Sequence, residues 1–175
     1  MAKRSTGTFK HRKNDFYPTP REAVVPLLPH LPDKFTFYEP CAGDGRLVLH
    51  LQDLSGGIST GHTDIDPRCS WVGQADAFSV QVPTATDFVI TNPPWTRSLL
   101  HPMIEHFAEQ CPTWFLFDAD WIHTKQSIPY LSMCEKIVSI GRVKWIEDSP
   151  HTGKDNSCWY LFDKKNRGKT VFYGR

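Results

Sequence analysis

No Cys-x-x-Cys pair occurs among the five cysteines (Cys41, Cys69, Cys111, Cys134 and Cys158), which are scattered and odd in number. Zinc-ribbon and thioredoxin-type centres therefore have no support. Reduced thiols in a cytoplasmic protein fit this usage. No run approaches the roughly 18 apolar residues that a membrane-spanning helix needs. No apolar stretch follows Met1-Ala2-Lys3-Arg4 to make a secretory signal. His101 and His106 miss the i, i+4 spacing, and His123 and His151 are isolated, so no metal is expected. Internal repeats and low-complexity linkers are also missing. What remains is a chain of 175 residues, 39% hydrophobic and 22% charged. Those values fit one globular domain with a real core.

The net charge of +1 hides an asymmetry. Lys3, Arg4, Lys10, Arg12 and Lys13 precede the first acid, Asp15, and Lys164, Lys165, Arg167, Lys169 and Arg175 follow the last, Asp163. The stretch between them, residues 14–163, has 10 basic against 19 acidic residues, a net of −9. Basic ends on an acidic body can neutralise the phosphates of a polyanion, or can serve only as solubilising tails. Residues 1–14 read as a basic flexible tail, and 15–175 as one domain.

Thr19-Pro20-Arg21-Glu22 has the form of a capping box with proline at the first helical position. Pro26 and Pro29 keep that helix short. Residues 35–39 read as a strand, and 46–54 as a helix stopped by Gly56-Gly57. A second strand is expected over 59–65, a helix or turn from Asp66-Pro67, and a short strand at 70–72. Residues 87–91 form a buried strand, 98–111 a helix, 114–118 an apolar strand and 125–133 a helix broken at Pro129. Residues 137–140 and 142–146 can form one long strand, 158–162 another and 170–173 an edge strand. Alternating strands and helices, closed by two strands joined through a loop, predict an α/β fold. Its sheet should be mostly parallel, with an antiparallel strand near the C-terminal edge.

Strand, Gly43-Asp44-Gly45, helix is how a Rossmann-like domain approaches a nucleotide. The third glycine of the dinucleotide fingerprint is replaced by Val48, which argues against NAD or FAD. Asp64 lies 19 positions after Gly45, at the end of the next strand, where an acid can accept hydrogen bonds from ribose hydroxyls. Ile65 beside it offers an apolar surface to an adenine face. Asp76 could accept from an adenine amino group, or could simply cap a turn.

Asn92-Pro93-Pro94-Trp95 stands where a strand meets its loop. Two prolines stiffen the backbone and remove its N–H donors. What remains is the Asn92 side-chain carbonyl and the Pro93 main-chain carbonyl, two aimed acceptors suited to a planar –NH2 group. Holding both N–H bonds favours a pyramidal nitrogen with its lone pair free. Trp95 supplies a face on which a base can stack. A proline-stiffened strand exit with a core tryptophan is the alternative.

With these elements in order, the sequence resembles the S-adenosylmethionine-dependent DNA adenine-N6 methyltransferases, particularly small phage-type members. Asp15-Phe16-Tyr17-Pro18-Thr19-Pro20 is similar to that family's N-terminal cofactor motif, and Glu39-Pro40-Cys41-Ala42-Gly43-Asp44-Gly45 to its motif I. Asp64-Ile65-Asp66 and Asp76 fit the next two positions. Asn92-Pro93-Pro94-Trp95 fits the catalytic motif, with tryptophan for the commoner tyrosine. Residues 118–121 and 156–162 match more loosely. The resemblance implies a Rossmann-like class I methyltransferase fold, with S-adenosylmethionine as cofactor and DNA as partner, either a duplex with a flipped base or a single strand. It assigns Tyr17 and Thr19 to the methionine end of the cofactor, and Glu39, Pro40, Cys41, Ala42, Gly43 and Gly45 to its amino acid part. Asp64 goes to the ribose, and Ile65, Asp76, Ala77 and Phe78 to the adenine. Asn92, Pro93, Pro94 and Trp95 fall to the target base. Such an enzyme would work in the cytoplasm, that of the bacterial host for a phage member, in restriction–modification or a related task. The chain departs from sequence-specific members in having no room for a separate target-recognition domain, so specificity should be short and borne by loops such as 96–100, 121–127 and 147–156 with the basic ends, or relaxed, or supplied by a partner. Cytosine N4, RNA adenine and a protein glutamine amide present the same –NH2 chemistry. A nucleic-acid-binding module that kept the fold without activity also stays open.

Overall fold

The computed structural model describes residues 16–147, 150, 152–166 and 168–175. The expected tail at 1–14, and Asp15 of the N-terminal motif, lie outside them. Eight strands among the described residues form one sheet: β1 Thr36–Glu39, β2 Ile58–Asp64, β3 Gly73–Gln74, β4 Phe88–Thr91, β5 Thr113–Asp118, β6 Cys134–Arg142, β7 Asn156–Phe162 and β8 Val171–Tyr173. Their spatial order is β3-β2-β1-β4-β5-β7-β6-β8. All neighbours run parallel except β7, which is antiparallel to β5 and to β6. The chain leaves a slot between β5 and β6, and β7 returns to fill it. The strand order reverses between β1 and β4, which opens a crevice at the carboxyl ends of those strands.

Alternation along the central strands sends side chains to two core layers. Trp114 and Leu116 of β5, with Trp159 and Leu161 of β7, pack under α1 (Arg21–Val24) and α2 (Arg46–Ser55). Phe115 and Phe117, with Tyr160 and Phe162, pack against α3 (Arg97–Ala108) through Leu100, Met103, Ile104 and Phe107. The Trp159 indole also donates to the Ala23 carbonyl at 2.8 Å, tying β7 to α1. No helix among the described residues is long and apolar enough to cross a membrane.

Several local expectations give way to long-range partners. The Thr19–Glu22 capping box does not form, because α1 carries no side-chain cap. The Thr19 hydroxyl instead accepts from Asn92, and Glu22 accepts from the Lys144 amide at 3.0 Å. After one turn of α1 the chain tightens into a 3-10 turn, Val25–His30, which contains Pro26 and Pro29. Asp66-Pro67 starts no helix, since the Asp66 amide is drawn back to Asp64 at 2.7 Å and Arg68 N to the Gly43 carbonyl at 2.9 Å. The short strand falls at β3 rather than 70–72, where it pairs with Thr63 and Asp64. The 125–133 helix is reduced to a 3-10 turn, Lys125–Ser127, and a single-turn α4, Ile128–Leu131. β6 stops at Arg142, not 146, because the Val143 carbonyl turns to accept Gly153 N at 2.7 Å.

Candidate active site

The glycine turn follows from β1. Pro40–Asp44 leads into Gly45, which caps α2 with φ +79°, while Gly43 has φ +55°. Both values lie where residues with a Cβ are strained. The turn is braced on every side. Gly45 N donates to the Ala42 carbonyl at 2.7 Å, and Ala42 N to the Thr63 carbonyl of β2 at 2.8 Å. Gly43 N donates to Asp64 Oδ2 at 2.8 Å, so the acid ending β2 holds the turn that follows β1. Two rings close over the glycines. A Cβ on Gly43 would stand 2.6 Å from Phe16, and one on Gly45 would overlap Trp71. The Arg68 guanidinium lies 5.0 Å over the Phe16 ring. Gly45→Ala is therefore expected to destabilise the fold by about 1–3 kcal/mol. Urea unfolding measures this, and a midpoint equal to wild type would contradict it.

Beside the turn opens a cavity of about 490 Å³, within the range of small-ligand sites. Tyr17, Thr19, Glu39, Pro40, Cys41, Ala42, Gly43, Asp64, Ile65, Asp76, Ala77 and Phe78 all line it; of the expected cofactor contacts only Gly45 lies outside the wall. Asn92 and Pro94 line the same cavity, and Pro93 and Trp95 do not. The wall also includes Phe16, Pro18, Asp44 and Asp66 from the motifs quoted above, Thr96 and Leu99 from segment 96–100, and Leu47, Arg68 and Met103, which the sequence reading did not single out. Leu99 and Met103 carried a signal, an i, i+4 apolar pair on a helix that follows the Asn-Pro-Pro-Trp element. Arg68 carried none.

Glu39 is the most unusual group in the wall. It is 1% exposed, and its Oε2 has no hydrogen-bond partner. Burial first, then the nearby Asp64 and Asp44 carboxylates, push its carboxyl well above the usual range. Burial likewise raises the Cys41 thiol, so it is held neutral rather than as a nucleophile. Asp76 Oδ1 accepts Phe78 N at 2.9 Å and caps the short turn Ala77–Ser79. Ile65 and Phe78, 61% and 39% exposed, leave apolar surface at the rim.

Asn92 follows the last residue of β4. Its Nδ2 donates to the Tyr17 carbonyl and to Thr19 Oγ1, each at 3.2 Å. Those two bonds orient Oδ1 toward Trp95, whose Nε1 donates to it at 3.2 Å and to the Leu116 carbonyl of β5 at 3.1 Å. The sequence reading treated the Asn92 carbonyl as a free acceptor and Trp95 as a stacking face. In the structure the indole N–H occupies that carbonyl. The Trp95 ring meets Trp145 edge to face, 5.7 Å between centroids. Arg97 donates to Asp118 at 2.6 Å and to the Trp95 carbonyl at 3.3 Å, which fixes the loop to the end of β5. Among the described residues no group of three His, Cys, Asp or Glu could hold a metal ion.

No protein-family model matches this sequence, and no curated protein matches it. Solved structures do match the fold. A Listeria monocytogenes protein assigned to the class I S-adenosylmethionine-dependent methyltransferases superposes with a TM-score of 0.57 at 10% identity, over 87% of this chain and 62% of that one. A chain from a type I restriction–modification assembly gives 0.59 at 11%, over 89% and 44%. A Pyrococcus horikoshii protein assigned as an RNA methyltransferase gives 0.56 at 16%, over 89% and 91%. This chain thus spans 62% and 44% of the length of the first two. The fold is the Rossmann-like one of class I methyltransferases, with a single antiparallel strand set between β5 and β6.

Proposed function

We propose that this chain transfers a methyl group from S-adenosylmethionine to the exocyclic N6 amine of adenine in DNA. The observation that carries the reading is the meeting, in one cavity, of the Gly43 turn with Asn92 and Pro94. The wall suits the cofactor. Gly43 lines the cavity with the Phe16 ring packed on it, Glu39 offers a buried acceptor without a partner, and Ile65 and Phe78 offer apolar faces. When bound, S-adenosylmethionine supplies an electrophilic methyl on a cationic sulfonium. Glu39 would take an N–H or O–H of its amino acid part, and Asp64 the ribose hydroxyls with the lone pairs its two backbone donors leave open. Asp76 would take the adenine amine with the carboxylate oxygen that does not cap the turn.

Asn92 Oδ1, through the lone pair that the Trp95 indole leaves open, and the Pro93 carbonyl would hold the two N–H bonds of the target amine, pointing the nitrogen lone pair into the cavity. Tyr17 and Thr19 would serve indirectly, by holding the Asn92 amide in orientation. The base must leave its stack to reach this edge, by flipping or from a single strand. We place the activity at the cavity between the Gly43 turn and Asn92, and expect short or relaxed specificity. The type I restriction–modification neighbour favours DNA, and the Pyrococcus neighbour keeps RNA adenine as the second reading.

Transfer of labelled methyl to duplex DNA, single-stranded DNA and RNA, followed by nucleoside identification, tests this. N6-methyladenine in DNA is expected. Label confined to RNA would move the substrate class. Cofactor binding with no transfer to any of the three would leave only a binding module.

A further inference from the structure

The carboxyl edge of the sheet continues past Asn92 to the strands that carry no cofactor residues. β6 ends there at Arg142, which pairs in register with Asn156 at the start of β7. The bond from Gly153 N to the Val143 carbonyl closes the neck of the connecting segment, so Lys144 and Lys154 emerge on either side of it. The Arg175 guanidinium folds over Gly141, 2.9 Å from where a Cβ would stand. Arg142, Lys154 and Arg175 are exposed and Lys144 half-buried, and none of the four takes part in a salt bridge among the described residues.

Acids nearby are mostly committed: Glu147 to Arg46, Asp118 to Arg97, and Glu22 to the Lys144 amide. Among the described residues beside the group, Asp155 is exposed and has no salt-bridge partner. Four cations therefore gather at one end of a body whose central stretch is net −9. Trp145, next to Lys144, touches Trp95 and so joins this group to Asn92. The other C-terminal cations among the described residues are elsewhere. Because β7 runs antiparallel, Lys164, Lys165 and Lys169 fall on the β7–β8 connection at the opposite edge, where Lys164 pairs with Glu109. The single basic C-terminal end suggested by the sequence is split between two edges.

We propose that Arg142, Lys144, Lys154 and Arg175 form the phosphate-docking surface of the nucleic-acid substrate and lead its strand past Trp145 to Asn92. This rests on the methyltransferase reading and names the part of the chain that would hold the substrate backbone. A line of cations with an aromatic beside it is what a phosphate backbone with stackable bases fits.

The test is binding of a labelled oligonucleotide, as duplex and as single strand, across a salt series, for wild type and the triple variant Arg142→Gln/Lys154→Gln/Arg175→Gln. The slope of log affinity against log salt should become shallower by about 2–3, with affinity at least about tenfold weaker at low salt. The opposite-edge variant Lys165→Gln/Lys169→Gln should behave as wild type, and both should bind S-adenosylmethionine normally. An unchanged slope in the triple variant, or an equal loss in the opposite-edge variant, would overturn the proposal. So would binding to phosphatidylserine vesicles but to neither oligonucleotide. Wild type that docks the oligonucleotide through this surface yet transfers no methyl would refute the reaction and keep the surface. Efficient methylation with a slope indifferent to the three charges would do the reverse.

Discussion

Asn92→Ala is expected to lower methyl transfer at saturating substrate by about 10²–10³-fold, the usual cost of losing one preorganised polar contact at a reacting centre. The loss should appear in single-turnover rate, with cofactor affinity little changed. The network around the residue adds a second expectation. Its Nδ2 donates to the Tyr17 carbonyl and Thr19 Oγ1, so alanine also releases the N-terminal segment from β4. Two lost hydrogen bonds cost about 1–3 kcal/mol in stability, which a urea titration reads separately from rate. Trp95→Phe is the informative partner. Phenylalanine keeps an aromatic face and loses the N–H shared by Asn92 Oδ1 and the Leu116 carbonyl. If that N–H holds the amide in place, Trp95→Phe should lower turnover about tenfold, well short of the Asn92→Ala loss, and leave substrate affinity near normal. Trp95→Ala, which also removes the face, should lose substrate affinity as well. Wild-type turnover in Asn92→Ala would sink the mechanism whatever substrate the chain takes.

The parts of the fold legible in the sequence are those whose signal is local. Unbroken apolar runs write β5 and β7 into Trp114–Phe117 and Cys158–Phe162, because each face of those strands is buried in its own core layer. Gly43, Gly45 and Gly56 mark a turn and a helix end because only glycine adopts their positive φ without strain. The parts that were not legible depend on partners far away in the chain. Thr19 and Glu22 have the spacing of a cap, yet their side chains serve Asn92 and Lys144, 73 and 122 positions away. The Trp95 indole reads as a stacking face, and that its N–H also serves the Leu116 carbonyl is known only once β5, 21 positions on, is beside it. Nor does the charge pattern reveal that an antiparallel β7 carries Lys164, Lys165 and Lys169 away from the edge where Arg175 ends up. In each case the residue type was noticed and its partner was not, because sheet topology chooses the partner.

Glu39→Gln should change stability and binding in opposite directions. In the protein without ligand the Glu39 carboxyl is buried, its Oε2 is unpaired, and Asp64 and Asp44 stand close by. Its folded pKa therefore lies above the value near 4.3 expected for an unfolded chain. A raised carboxyl stabilises the fold fully below that unfolded value and loses its contribution as pH rises toward the folded one. At pH 8 the wild-type fold thus bears the cost of the raised carboxyl, while near pH 4 it does not. Glutamine has no charge to bury, so Glu39→Gln should unfold at a higher temperature than wild type at pH 8 and at nearly the same temperature near pH 4. The reason to retain such a residue is the ligand: an N–H or O–H donor entering the cavity meets an acceptor no protein group has claimed. A hydrogen bond to a charged acceptor contributes about 1.5–3 kcal/mol, so Glu39→Gln should weaken S-adenosylmethionine binding by about 10–100-fold in calorimetry. It should also flatten the rise in melting temperature that cofactor gives wild type at pH 8. A variant that is no more stable at pH 8 and binds the cofactor as wild type does would show Glu39 to be a structural acid, and would move the cofactor's amino acid end away from this part of the cavity.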